Sequence, residues 1–319
     1  MAKVLESSFE LATKLIGAMS MSAREYEETL TGMLLGSLLT SNTLLTLVSA
    51  HLDIEPTQCW WGSYSKYNAK DNPFTEAKSG ADFGLLTLLA NGGARLALFQ
   101  AKRGILNNGI WTVDVNQTQN PPKSEATEVR GTQMVVLVDT GRQLSQLADP
   151  SGRRSKNCPP LQADAYQTPE EIEDADLQSF DWVHYLVYTD EGADCLPLRL
   201  LSRPYIKELD GRNSKTEIPI AGRTSPFTQV VSEGCAIGGR HWLEFDDAKA
   251  AIDALPLLLP LVPMIVGDAD GTNGPALQRV NGLAPLSLNL SNGPVAEFVA
   301  ALNANPGGEG YQPTRRRPS

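Results

Sequence analysis

The stretch ADFGLLTLLANGGARLALFQAKR, residues 81–103, decides how this chain is read. Ala81 to Ala90 is an almost unbroken apolar run, Asn91-Gly92-Gly93 is turn chemistry, and Arg95 to Arg103 is a second apolar run. Two such runs around an Asn-Gly turn predict a β-hairpin. Alternate residues of a strand share a face, so Gln100 and Lys102 extend the face of Leu96 and Leu98. A three-residue turn over 91–93 pairs Ala90 with Ala94, sets Asp82 opposite Lys102 and sets Gly84 opposite Gln100. A two-residue turn changes the parity and separates these groups.

Upstream, apolar residues recur at helical spacing from Ala2 to Met19. Ser22 with Glu25 three residues on forms a capping box for a second helix from Ala23 to Leu39. Ser41-Asn42 interrupts that pattern, and a third helical stretch runs to His51. Residues 53–80, with breakers at Pro56 and Pro73, are expected to connect. Within them Trp60, Trp61, Tyr64 and Tyr67 form an aromatic cluster suited to packing over the core edge.

Downstream, Ile110 to Val115 is expected as a strand, 116–128 as a loop and Thr132 to Leu147 as a helix. Residues 150–160 form another loop. Trp182 to Tyr188 and Cys195 to Leu201 are expected to pair around Asp190-Glu191-Gly192. Phe227 to Cys235 and His241 to Phe245 read as short strands, and Asp246 to Leu259 as a helix that Pro256 and Pro260 disturb. The tail from Asn303, ending in Arg315-Arg316-Arg317, is expected to be disordered.

A carboxylate, an amide and an ammonium gathered on one patch suit phosphodiester hydrolysis. Asp82 would bind a hard divalent cation, Mg²⁺ or Mn²⁺, with oxygen ligands. Lys102 would position the attacking water or stabilise charge in the transition state, and Gln100 would orient the water or ligate through its carbonyl oxygen. One carboxylate is too few for such a site. At about 100° per residue, Glu27 falls inside the arc of Leu30, Leu34 and Leu38, while Glu28 falls well outside it. Glu27 is therefore the chosen second acid, with Glu28 in reserve.

An acidic helix followed by Ser79-Gly80-Ala81-Asp82-Phe83 and then Leu98-Phe99-Gln100-Ala101-Lys102-Arg103 resembles the PD-(D/E)XK nuclease superfamily. The nearest variant is the Mrr-like one, in which glutamine replaces the acid of the last motif. The resemblance covers roughly residues 20–147. It implies an α/β, restriction-endonuclease-like mixed sheet flanked by helices, with Thr132 to Leu147 as the helix after the core strands. It also implies a metal-dependent nuclease in which Asp82 is the metal-binding aspartate, Gln100 and Lys102 form the Q-x-K motif, and Glu27 or Glu28 is the helix glutamate. DNA is the expected substrate rather than RNA, and restriction or anti-phage defence the expected setting.

The rest of the chain bounds this reading. At 319 residues and 41% hydrophobic composition it holds a full core. The expected organisation is a nuclease-like core with N-terminal helices over 1–150 and an α+β recognition or assembly portion over 151–302. That portion is either separate from or continuous with the core, and 303–319 is the tail. A formal charge of -10 argues against a uniformly basic surface, so an oligomer or a partner protein is expected to help bring nucleic acid to the site. A noncatalytic subunit that keeps the nuclease scaffold to bind protein partners is the competing expectation.

Cys59, Cys158, Cys195 and Cys235 form no Cys-x-x-Cys pair and read as reduced thiols, which disfavours zinc. His51, His184 and His241 are too far apart in sequence to suggest a triad and are given no role. Asp268 to Asn273 lacks the glutamate that closes a calcium loop, since Arg279 stands at its twelfth position. The greasiest stretch, Ala254 to Val266, contains three prolines, so no membrane span is expected and the protein is placed in the cytoplasm.

Overall fold

A computed structural model of the chain describes residues 3–20, 27–52, 58–62, 80–115, 133–148, 174–201, 217–236 and 241–286, together with 239, 293, 297, 300 and 301. The Ser22–Glu25 capping box, Tyr64, Tyr67, Cys158, the two long polar loops and the arginine tail lie outside the described residues, as does the side chain of Glu28.

The hairpin forms the middle of the molecule. Strands β2 (Phe83–Leu88) and β3 (Ala94–Arg103) pair antiparallel, with Phe83 opposite Phe99 and Leu88 opposite Ala94. Both are buried nearly throughout, which is why they read as continuous apolar runs rather than alternating ones. They belong to a mixed nine-stranded sheet with the order β12-β1-β11-β2-β3-β6-β7-β9, and β10 also pairs with β3. Its remaining members are β1 (Gln58–Gly62), β6 (Val183–Thr189), β7 (Gly192–Pro197), β9 (Ser225–Pro226), β10 (Leu243–Phe245), β11 (Met264–Asp268) and β12 (Leu283–Pro285). A second sheet joins β4 (Ile105–Asn107), β5 (Ile110–Asp114) and β8 (Glu217–Pro219).

Helices flank the large sheet. On one face lie α1 (Lys3–Ser20) and α2 (Glu27–Leu52), whose Leu5, Phe9, Leu30, Leu34 and Leu38 share a core with Phe83, Phe99 and Ala101. On the other, α3 (Gln133–Ala148) and α6 (Ala248–Leu258) pack with Leu96, Leu98 and Val187. Short helices α4 (Asp174–Ser179), α5 (Phe227–Cys235) and α7 (Gly274–Leu277) complete the described set. The fold is thus a mixed α/β sheet flanked by helices, and strands from both sides of residue 150 are woven into it.

Several local expectations change in the tertiary setting. The Ser41-Asn42 break does not occur, and α2 runs through it as one helix. Hydroxyls there back-bond within the helix, Ser41 to Ser37 O and Thr43 to Leu39 O, while Ser41 Oγ also reaches Ser8 O at 3.3 Å on α1. Trp60 and Trp61 sit on β1 inside the expected connector. Among the described residues, the segment Thr29–Leu47 is long and apolar enough to cross a membrane, with 33% of it buried in the fold.

Phe227 to Cys235 is a helix, not the short strand expected. Phe227, Val230, Val231 and Gly234 are buried at helical spacing. The Phe227 ring stands edge-on to Phe99, with centroids 5.3 Å apart, and to Phe9 at 5.2 Å. Gly234 is needed because a Cβ there overlaps the Trp242 ring, which is held by its Nε1–H donating to Val230 O at 2.8 Å. Gly234→Ala is expected to lower unfolding stability by about 1–3 kcal/mol through overpacking, measured by urea denaturation. An unchanged midpoint would show that the indole can move aside.

Candidate functional site

The site lies where β2 begins and β3 ends. Asp82 immediately precedes β2, and its amide donates at 2.9 Å to Phe99 O, the carbonyl of the residue opposite Phe83. The register itself sets Gly84 opposite Leu98 rather than opposite Gln100, a correction of two residues. The cause is the loop, which spans Leu89 to Gly93. Leu89 N–H donates to Gly93 O at 2.8 Å, and Asn91 Oδ1 accepts from Gly93 N–H at 3.1 Å. Gly92 takes a φ of 85° there, a left-handed conformation that suits glycine. Gln100 and Lys102 share a face by alternation, while Asp82 lies outside the paired register and is tied to Gln100 by hydrogen bonds.

Asp82 Oδ2 accepts from Gln100 Nε2 at 2.6 Å and from the Ala101 amide at 2.7 Å. Gln100 Nε2 also donates to Ala101 O at 3.2 Å. The amide is therefore oriented by a carboxylate on the neighbouring strand. Gln100 is 1% exposed, and its Oε1 is buried without a hydrogen-bond partner among the described residues. A buried orphan acceptor is costly in free energy, so its presence here needs a reason.

Lys102 is 3% exposed, and its Nζ stands 3.6 Å from Glu27 Oε1. Glu27 lies on α2, and its side chain is 31% exposed. By strand alternation Lys102 belongs to the face of Leu96 and Leu98, whereas α2 covers the opposite face. The two meet because Lys102 is the penultimate residue of β3, at the rim of the sheet, where Glu27 of α2 reaches it.

Asp82, Gln100, Lys102 and Glu27 are thus brought into one neighbourhood. Their oxygen donors, two carboxylates and an orphan amide oxygen, fit a hard cation better than zinc. The described residues hold no group of three or more His, Cys, Asp or Glu side chains that could hold a metal ion, so the amide oxygen is needed to complete a protein donor set.

Gly80, two residues before Asp82, is a further member of the neighbourhood. It takes a φ of 67°, and a Cβ there would lie 2.9 Å from both Gln133 O and Leu137 N on α3. Absence of a side chain lets the first two turns of α3 press against the segment that carries Asp82.

A second polar cluster escaped sequence reasoning. His184 and His241 have ring centroids 5.9 Å apart, and His184 Nε2 meets His241 O at 3.2 Å. His241 Nδ1 lies 3.3 Å from Asp181 Oδ1, its Nε2 lies 3.8 Å from Glu233 Oε2, and Asp181 also pairs with Arg199 at 2.6 Å. The hydrogen bond to Asp181, partly opposed by burial, raises the His241 pKa. For Asp181, burial pushes upward, but the bond to His241 and the charge of Arg199 hold the carboxyl below its usual range. Nothing in the spacing of 181, 184, 199, 233 and 241 announces this grouping. It is assembled by the pairing of β6 with β3 and the docking of α5.

His184 is fully buried against Phe99, with centroids 5.4 Å apart, and burial pushes its pKa down from 6.5 to about 4. A depressed folded-state value means that neutral His184 contributes its full stability above pH 6.5 and loses it as pH falls through about 4. A shift of this size is worth about 3 kcal/mol. His184→Leu is therefore expected to flatten the pH dependence of unfolding stability between those limits. The raised His241 works in the opposite sense: its contribution is present below its unfolded value and lost as pH rises through its folded one. An unaltered acid limb in the His184 variant would assign that slope to carboxylates instead.

Comparison of the chain with family models, with curated proteins and with solved structures finds no match.

Proposed function

We propose that the chain is a Mg²⁺-dependent endonuclease with a restriction-endonuclease-like, PD-(D/E)XK core, cleaving DNA rather than RNA. The observation that carries this reading is a nearly fully buried lysine, held beside a carboxylate–amide pair on adjacent strands and within reach of a helix acid. Burying an ammonium is unfavourable unless charge or chemistry compensates it.

Asp82, Glu27 and the Oε1 of Gln100 would hold the ion, which supplies charge neutralisation and an acidified water when bound. Lys102 places a fixed positive charge where a phosphate oxygen gains negative charge, in a setting that water screens poorly. The Gln100 bond to Asp82 fixes the carboxylate direction, with Nε2 facing Asp82 Oδ2. The resemblance of residues 20–147 to the Mrr-like variant supports the assignment, and restriction or anti-phage defence in the cytoplasm is the setting it suggests. With a formal charge of -10, the chain is proposed to work as an oligomer or with a partner protein that supplies positive potential.

The test is relaxation of supercoiled plasmid in Mg²⁺ or Mn²⁺. Wild-type protein is expected to nick or cut. Asp82→Ala is expected to abolish cleavage, and Glu27→Gln to slow it by about 10²-fold, the scale of a lost charge-stabilising group. Equal cutting by wild type and Asp82→Ala would end the catalytic assignment. The net negative charge favours one alternative, a noncatalytic scaffold that binds protein partners. Absence of cleavage with every metal, oligomer and candidate partner would select it.

A further inference from the structure

Resting on that reading of Glu27, a chain of three groups ties the helix acid to the strand beside the Q-x-K motif. Tyr188, on β6, is fully buried, and its hydroxyl lies 3.1 Å from Thr31 Oγ1. Thr31 Oγ1 in turn lies 2.9 Å from Glu27 O, one helical turn back. A carbonyl oxygen only accepts, and a threonine hydroxyl has one proton to give. Thr31 therefore donates to Glu27, and the Tyr188 hydroxyl donates to Thr31. The direction of the whole chain follows from that single proton.

The placement of Tyr188 is set by the sheet. β6 runs parallel to β3, with Val187 beside Lys102 and Tyr188 beside Arg103. The Tyr188 carbonyl accepts from the Gly104 amide at 2.8 Å, so the residue is bonded into the end of the Lys102 strand through its backbone. By alternation its ring points to the opposite face from Lys102, the face on which α2 lies. Burial, partly opposed by the Thr31 hydrogen bond and reinforced by Asp82 and Glu27, pushes the phenol well above its ordinary pKa, so it remains a donor.

We propose that Tyr188, acting through Thr31, is a positioning residue that fixes the turn of α2 carrying Glu27 and so sets the Glu27 carboxylate beside Lys102 and the candidate metal site. The Glu27 carbonyl is the end acceptor of this chain, so a bond to an interior strand restrains the turn that carries the acid. A buried tyrosine hydroxyl requires some partner on general grounds. What distinguishes a positioning role is that its loss is felt at Glu27.

The experiment uses full-length Tyr188→Phe, Thr31→Val and Thr31→Ser. Hydrogen exchange of the first two turns of α2 and Mn²⁺ affinity, from electron paramagnetic resonance of free Mn²⁺, are read in parallel. Phenylalanine keeps the ring, valine keeps the shape of threonine, and serine keeps the hydroxyl. Tyr188→Phe and Thr31→Val are expected to speed exchange in those turns and weaken Mn²⁺ binding by about 5-fold each, the loss of one buried hydrogen bond, while Thr31→Ser behaves as wild type. Unchanged exchange in Tyr188→Phe, or faster exchange with unchanged Mn²⁺ affinity, would overturn the positioning role while leaving the nuclease reading in place. If wild-type protein binds no Mn²⁺, the metal reading fails on its own account. The exchange comparison then still decides whether Tyr188 restrains Glu27.

Discussion

Lys102→Met is expected to fold as well as the wild type and to cleave plasmid about 10³-fold more slowly at saturating Mg²⁺, the upper range for losing one charge-stabilising group in a dry site. Methionine has an unbranched stem close in length to that of lysine, so the packing around the 3% exposed side chain is nearly conserved. Replacing a buried charge by an apolar group of similar shape is often neutral or stabilising. Glu27, about one-third exposed, can turn to solvent when its partner is removed. Stability and activity should therefore separate in this variant, which a disruptive alanine would not guarantee. Activity within a few-fold of wild type would show that the buried ammonium is structural. Lys102→Arg is a sharper control, because a guanidinium keeps the charge but neither the shape nor the point-like geometry of the ammonium.

Gly80→Ala is expected to lower unfolding stability by about 2–4 kcal/mol, combining a left-handed backbone penalty with a steric one. The new methyl would meet Gln133 O and Leu137 N at 2.9 Å, and both are helix backbone, so no side chain can rotate away. Relief requires α3 to move off the sheet or the 80–82 segment to shift. Because Asp82 is two residues away, cleavage should fall by more than the loss of folded protein explains. Urea denaturation with activity normalised to the folded fraction checks both parts. A midpoint within experimental error of wild type would mean that the contact with α3 is loose.

How far the site could be read from the chain follows from where its parts sit in sequence. Gln100 and Lys102 lie on one strand, whose alternation is a local property, and their common face was legible, whereas Asp82 sits just before the paired register. The hairpin register was not legible. Whether Asn91-Gly92-Gly93 closes alone or draws in Leu89 and Ala90 depends on which loop bonds outcompete ladder bonds. Glu27 was reached by helical phase, and it does approach Lys102, but phase alone does not say which face of the sheet α2 covers. The stripe packs on Phe83, Phe99 and Ala101, while Lys102 belongs to the other face. Only the docking of α2 against the end of β3 at the rim of the sheet brings the acid and the ammonium together.

The same division runs through the fold. Residues 81–103 by themselves determined a buried hairpin with a polar patch at its open end, because strand parity and turn chemistry act over a few residues. Tertiary structure alone decided that β11, from the proline-flanked stretch around 264, lies parallel beside β2, and that Phe227 to Cys235 coils rather than extends. It also gathered Asp181, His184, Arg199, Glu233 and His241. These outcomes depend on which distant surfaces bury one another. Apolar burial is non-directional and scales with area, so a sequence can specify that a face must be covered without stating what covers it.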